Sequence, residues 1–131
     1  MNLSGAPQRL TADDLRRLPA PAATPASCAC AHLKCAGWDS VSAPLGEPLL
    51  QRLGTLRDAD DAEPTVAEKH ADGSRYESAH APIAPAWFPY NRCEVWACRG
   101  CGRGFLQYTE FGGYYVDHRL REVDPQWVTG A

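Results

Sequence analysis

Six cysteines fall in two short clusters, CACAHLKC at 28–35 and CEVWACRGC at 93–101, and none lies elsewhere in the chain. Thiols gathered this way must cross-link, bind a metal, perform redox chemistry or be buried, and each choice dictates how the two stretches meet. At 131 residues and 44% hydrophobic, the chain has material for one core, so both clusters must be served by one domain. The opening MNLSGAPQRL has neither a basic start nor an apolar run of signal-peptide length, and no later stretch has the length and apolarity of a membrane span. The expectation is a cytoplasmic protein with no membrane contact. In a reducing compartment stable disulfides are disfavoured, and clustered thiols read as metal ligands or redox groups.

Cys98-Arg-Gly-Cys101-Gly102 has the form of a metal-binding turn. Two thiolates separated by two residues can fold back onto one tetrahedral ion, and the following glycine relieves crowding where backbone amides approach sulfur. A C-x-x-C-G turn between two strands resembles the zinc-ribbon knuckle, and the resemblance covers residues 93–109. The zinc-ribbon family is a structural one with many functions, so the resemblance implies a metal and little else.

A knuckle supplies two ligands, so two more must come from elsewhere. Cys93 is nearest, but CEVWAC alternates like a strand, which sets its α-carbon roughly 16 Å from that of Cys98. A buried thiol is the better reading, with ligation only if the segment bends sharply. Cys28, Cys30, His32 and Cys35 offer four donors within eight residues. An arm folding back over the sheet would let Cys28 and Cys30 join Cys98 and Cys101 in a closed site of four thiolates, with Cys35, His32 and Cys93 as alternates. A self-contained site at 28/30/32/35 is the rival arrangement. Redox use of Cys98 and Cys101 is disfavoured, because redox pairs open a helix whose dipole lowers the thiol pKa, and here strands flank the pair.

The fold class expected is α+β: a small antiparallel sheet of about five strands with one or two short helices and the knuckle turn, in one domain spanning 1–131. TADDLRRLP at 11–19 predicts a short helix capped by Thr11 and Asp14. PAPAATPAS at 19–27 predicts an extended linker, closing an arm over 1–27. EPLLQRLGTL at 47–56 predicts a second helix, with Pro48 in its first turn; with the first cysteine cluster it makes up 28–64. DADDAE at 58–63 predicts a solvated loop. Over 65–131 the reading is sheet: a hairpin across Asp72-Gly73, an irregular or edge segment at 81–89, a strand in YNRCEVWA, and a hairpin joining GFLQYTEF to YYVDHRLREV. A two-residue loop at Gly112-Gly113 would pair Phe105 with Leu120, Gln107 with His118 and Thr109 with Val116, making that face core. The opposite face, with Tyr108, Glu110, Tyr115, Asp117 and Arg119, would meet solvent or a partner.

Thirteen basic against 16 acidic side chains give a net charge of −3, which argues against a nucleic-acid binder. All the basic residues but Lys34 and Lys69 are arginine, the side chain suited to fixed bidentate ion pairs. His118 is expected to be a satisfied core or boundary histidine, and His70 and His80 surface residues. No nucleophile elbow, phosphate loop, dinucleotide fingerprint or H-E-x-x-H is present. The reading is therefore a zinc-stabilised binding or adaptor protein whose partner is another protein, met through Tyr108, Glu110, Tyr115, Asp117 and Arg119. A hydrolase-like enzyme with an open zinc site is the alternative.

Overall fold

Sequential hairpins at the C-terminal end build the centre of the sheet. In the computed structural model, which describes residues 8–33, 37–43, 45–46, 48–68, 81–111 and 114–130 (without the His32 side chain), β3 (Glu94–Cys98) turns directly into β4 (Gly104–Phe111), and β4 returns as β5 (Val116–Glu122). Two strands from earlier in the chain complete the sheet, β1 (Trp38–Val41) on β5 and β2 (Leu50–Thr55) on β3, in the order β1-β5-β4-β3-β2 with every pair antiparallel. One short α-helix, α1 (Ala12–Arg16), precedes it. Among the described residues the regular structure is mostly sheet, so the α+β expectation holds only roughly.

The helix is where the capping residues put it. Thr11 Oγ1 accepts from the Asp14 amide at 3.4 Å, and the Asp14 carboxylate accepts from the Thr11 amide at 2.8 Å. The backbone hydrogen bond from Thr11 is the main cause holding the Asp14 pKa below its ordinary value. A lowered native pKa stabilises the fold above the unfolded carboxylate range, and that gain is lost as pH falls through the native value. Asp14→Ala is therefore expected to cost about 1 kcal/mol near neutrality, and urea midpoints of the two proteins should converge as the solution is acidified.

Three expectations are corrected. The second helix over 47–56 is instead β2, a strand whose apolar residues sit opposite β3 despite their helix-compatible spacing. Pairing overrides propensity here, and a bulge between Arg52 and Gly54 absorbs the irregular pattern. The 19–27 linker is not simply extended but contains a 3-10 turn at Pro21–Ala23. The hairpin register is also shifted by two: Phe105 lies opposite Glu122, Gln107 opposite Leu120 and Thr109 opposite His118. The last pair is Phe111 with Val116, so residues 112–115 make the connection. A shift of two leaves every side chain on its expected face. Residues 69–80, which carry most of the Asp72-Gly73 hairpin together with His70 and His80, lie outside the described residues; in the expected first strand of that hairpin, Glu68 forms an isolated bridge with Phe88.

Both faces of the sheet are covered. On one, Leu15, Trp38, Leu56, Ile83, Tyr90, Cys93, Val95, Leu106 and Tyr108 form the larger core, with α1 and the 81–92 segment as its lid. The face expected to meet solvent is thus buried at its centre: Tyr108 packs edge-on against Trp38 at 5.0 Å, and Arg121 is 1% exposed. On the other, Cys30, Leu33, Leu50, Cys98, Phe105 and Leu120 form a second cluster. The β1–β2 crossover passes over that face, and the Gln107 amide donates to the Leu45 carbonyl and accepts from its N–H, both at 2.8 Å.

The arm bridges the outer edge of β2 at its C-terminal end. Thr55 donates to the Gln8 carbonyl at 2.9 Å and accepts from the Leu10 amide at 2.8 Å. Gly54 permits this approach, since a Cβ there would stand 2.3 Å from the Gln8 oxygen and 2.9 Å from Leu10 Cγ. Gly54→Ala is expected to cost about 1–3 kcal/mol by overpacking and to expose the arm to early proteolysis, measured by urea denaturation and limited trypsin digestion.

Candidate metal centre

Cys98 ends β3 and its amide donates to the Arg103 carbonyl at 2.9 Å, closing the turn. Gly102 returns its amide to the Cys98 carbonyl at 2.9 Å with φ +84°, a left-handed conformation that glycine adopts without the Cβ clash. This turn projects Cys98 and Cys101 onto the face carrying Phe105 and Leu120. The arm approaches from the other side. After the Pro21–Ala23 turn, the chain winds into a 3-10 segment, Ala29–Leu33, with the Ala31 amide bonded to the Cys28 carbonyl at 2.9 Å. Cys30 and Leu33 bury against Leu50 and Phe105, which anchors the segment and presents Cys28 and Cys30 to the turn.

The four thiols converge. Cys28 Sγ lies 3.6 Å from Cys98 Sγ, Cys30 Sγ lies 3.5 Å from Cys101 Sγ, and all four sulfurs are within 4.8 Å of one another. A disulfide would require about 2.05 Å, so these are free thiols. Four sulfurs at about 2.3 Å from a tetrahedral ion are about 3.8 Å apart, and the two close pairs sit near that spacing. Gly100 keeps the space open: its amide donates to Cys98 Sγ at 3.3 Å, and a Cβ there would stand 3.2 Å from Cys28 Sγ.

Electrostatics point the same way. Burial opposes ionisation of Cys98, but the Cys101 and Gly100 amides and the neighbouring thiols more than offset it and lower its pKa to about 7. Burial pushes the Cys30 and Cys101 thiols up, and for Cys30 the neighbouring sulfurs push further. One thiolate forms readily while its neighbours resist a second like charge, an imbalance that a cation at the centre removes. The donor set and spacing therefore fit a metal ion, and four thiolates would complete a tetrahedral shell without an open position.

The remaining expected residues fall as follows. Cys93 is fully buried on the opposite face, its thiol donating to the Pro89 carbonyl at 3.4 Å. Cys35 and the His32 side chain lie outside the described residues. His118 accepts from or donates to Thr109 Oγ1 at 3.0 Å, a satisfied boundary histidine. Of the expected partner-binding residues, Tyr108 belongs to the core. Glu110, Asp117 and Arg119 are half-buried, with Arg119 3.4 Å from Glu110 and 3.7 Å from Asp117. Tyr115 is exposed.

Sequence reasoning missed Arg103. Its side chain is fully buried, pairs with Glu122 at 3.2 Å and donates from Nε to Thr24 Oγ1 at 2.9 Å. It ties the arm to β5 beside the thiols. An arginine two positions after the second knuckle cysteine carried no distinguishing signal.

Among the described residues no helix is long and apolar enough to cross a membrane. No protein-family model, curated protein or solved structure matches the chain.

Proposed function

We propose that Cys28, Cys30, Cys98 and Cys101 hold one zinc ion as a structural staple in a small protein-binding or adaptor protein of a reducing compartment, the cytoplasm. The convergence of four free thiols from segments far apart in sequence carries this reading. Tetrahedral all-sulfur sites suit zinc or iron. Zinc is favoured because its borderline-soft, redox-silent chemistry serves as a staple without side reactions, and the C-x-x-C-G turn has the zinc-ribbon form. The ion would offset the mutual repulsion of four thiolates by coordinating all of them, and would fasten the arm to the sheet. A hydrolase would need a coordination position free for water, which a set of four thiolates does not leave. The test is elemental analysis of protein purified without added metal. About one zinc per chain is expected, with less than half retained by Cys30→Ser or Cys98→Ser; a metal-free folded chain overturns the proposal.

A further inference from the structure

The β3–β4 pairing stops at Glu94 opposite Gln107, whereas β4 runs on to Phe111. Antiparallel ladders alternate between the two neighbours. Since the Cys98 amide bonds the Arg103 carbonyl and the Val123 amide bonds the Gly104 carbonyl, odd-numbered residues of β4 address β3 and even-numbered ones address β5. Beyond Gln107, the N–H and C=O of Thr109 and Phe111 therefore face outward with no backbone partner among the described residues.

A cleft of about 440 Å³ runs along this half-edge. Among the described residues its lining includes Arg57, Arg92 and Arg119 against a single carboxylate, Glu94, which is itself paired with Arg52. Arg119 is engaged by Glu110 and Asp117. Arg57 and Arg92 have no carboxylate within ion-pair distance among the described residues. Arg92 is nonetheless held in place: it donates to the Pro64 carbonyl at 3.1 Å and lies over the Phe88 ring, 5.3 Å from its centre, with a buried Nε lacking an acceptor. Phe111 beside it is 77% exposed.

We propose that this half-edge of β4 docks an extended acidic segment of a partner protein as an added strand in line with β3. Its backbone would bond Thr109 and Phe111 while its carboxylates meet Arg57 and Arg92. Main-chain pairing supplies affinity, and the two arginines select for acidic side chains. A second copy fits worse, because isologous pairing of β4 with itself would set Arg57 and Arg92 against the same positive cleft. The inference rests on the protein-binding half of the proposed function and is independent of the metal.

The probe is a capped, fluorescein-labelled peptide alternating glutamate with valine, titrated by anisotropy into the full chain as purified, with its lysine–valine counterpart as control. Saturable binding that weakens with salt is expected for the glutamate peptide, at least roughly tenfold tighter than for the lysine peptide. Phe111→Pro removes an outward N–H without touching the β5 ladder and should abolish binding, whereas Phe111→Ala should retain it. Arg57→Glu should erase the preference for acid. No binding of the glutamate peptide, equal binding of both peptides, or indifference to Phe111→Pro each overturns the proposal. So does a sedimenting dimer that Phe111→Pro dissolves, which would give the edge to a second copy. A metal-loaded chain that ignores the acidic peptide sinks this docking mode and leaves the structural ion standing.

Discussion

Stripping the metal with a strong chelator is expected to unfold the chain, with loss of the far-ultraviolet circular dichroism of the sheet and of any urea transition. Structural zinc sites bind with roughly 10–16 kcal/mol of apparent free energy, and small domains are stable by only about 5–15 kcal/mol. A zinc ion bound at the four thiols would thus contribute as much as the whole margin or more. Its loss would leave Cys30 and Cys98 buried among sulfurs that resist ionising together, and the arm would lose its anchor. Cys98→Ser should behave like chelation. Cys93→Ser is the control: that thiol lies in the other core against the Pro89 carbonyl, so metal content should stay at one per chain. A stripped protein that keeps its urea midpoint would show that the fold does not depend on the site.

Arg103→Ala is expected to cost about 3–5 kcal/mol at unchanged metal content, because removing one partner of a buried pair leaves the other without compensation. Arg103 is fully buried and the Glu122 side chain is 12% exposed, so solvent does little to screen the loss. Thr24 would lose its donor as well, freeing the turn that delivers the chain to Cys28. The measurement is a urea titration with metal content assayed at each point. A fall in stability at unchanged stoichiometry identifies a second fastening of the arm, whereas loss of both together would mean that Arg103 acts only by shaping the thiol site.

How much of this was legible beforehand depends on the range of the interaction. The helix at Ala12–Arg16 was readable because its cap is a contact between Thr11 and Asp14, three positions apart. The β4–β5 hairpin was readable from alternation, but its register was not: loop length decides it, and the turn is two residues longer than the glycine pair suggests. The strand at Leu50–Thr55 was invisible, since its spacing of leucines suits a helix and only β3 and the arm make it a strand. Among the candidate ligands, Cys98 and Cys101 stood out by local spacing. Cys28 and Cys30 were chosen for the emptiness of their surroundings, and the convergence of the sulfurs follows from burial of Leu33 and Cys30 against the sheet. Tyr108 misled because an alternating strand with one polar face looks half-solvated, while the 81–92 segment in fact covers that face.

The sulfur pairs bridge 70 and 71 positions of chain, whereas Cys98 and Cys101 share a single turn. During folding the turn can assemble its two thiols at once, while bringing Cys28 and Cys30 to them means closing a loop at an entropic cost on the order of 4 kcal/mol. Loop entropy therefore favours assembly of the turn before the arm joins it. Release of a bound ion from such a centre would be tied to undocking of residues 28–33 and of the Arg103–Thr24 contact, since two of the four sulfurs ride on that arm.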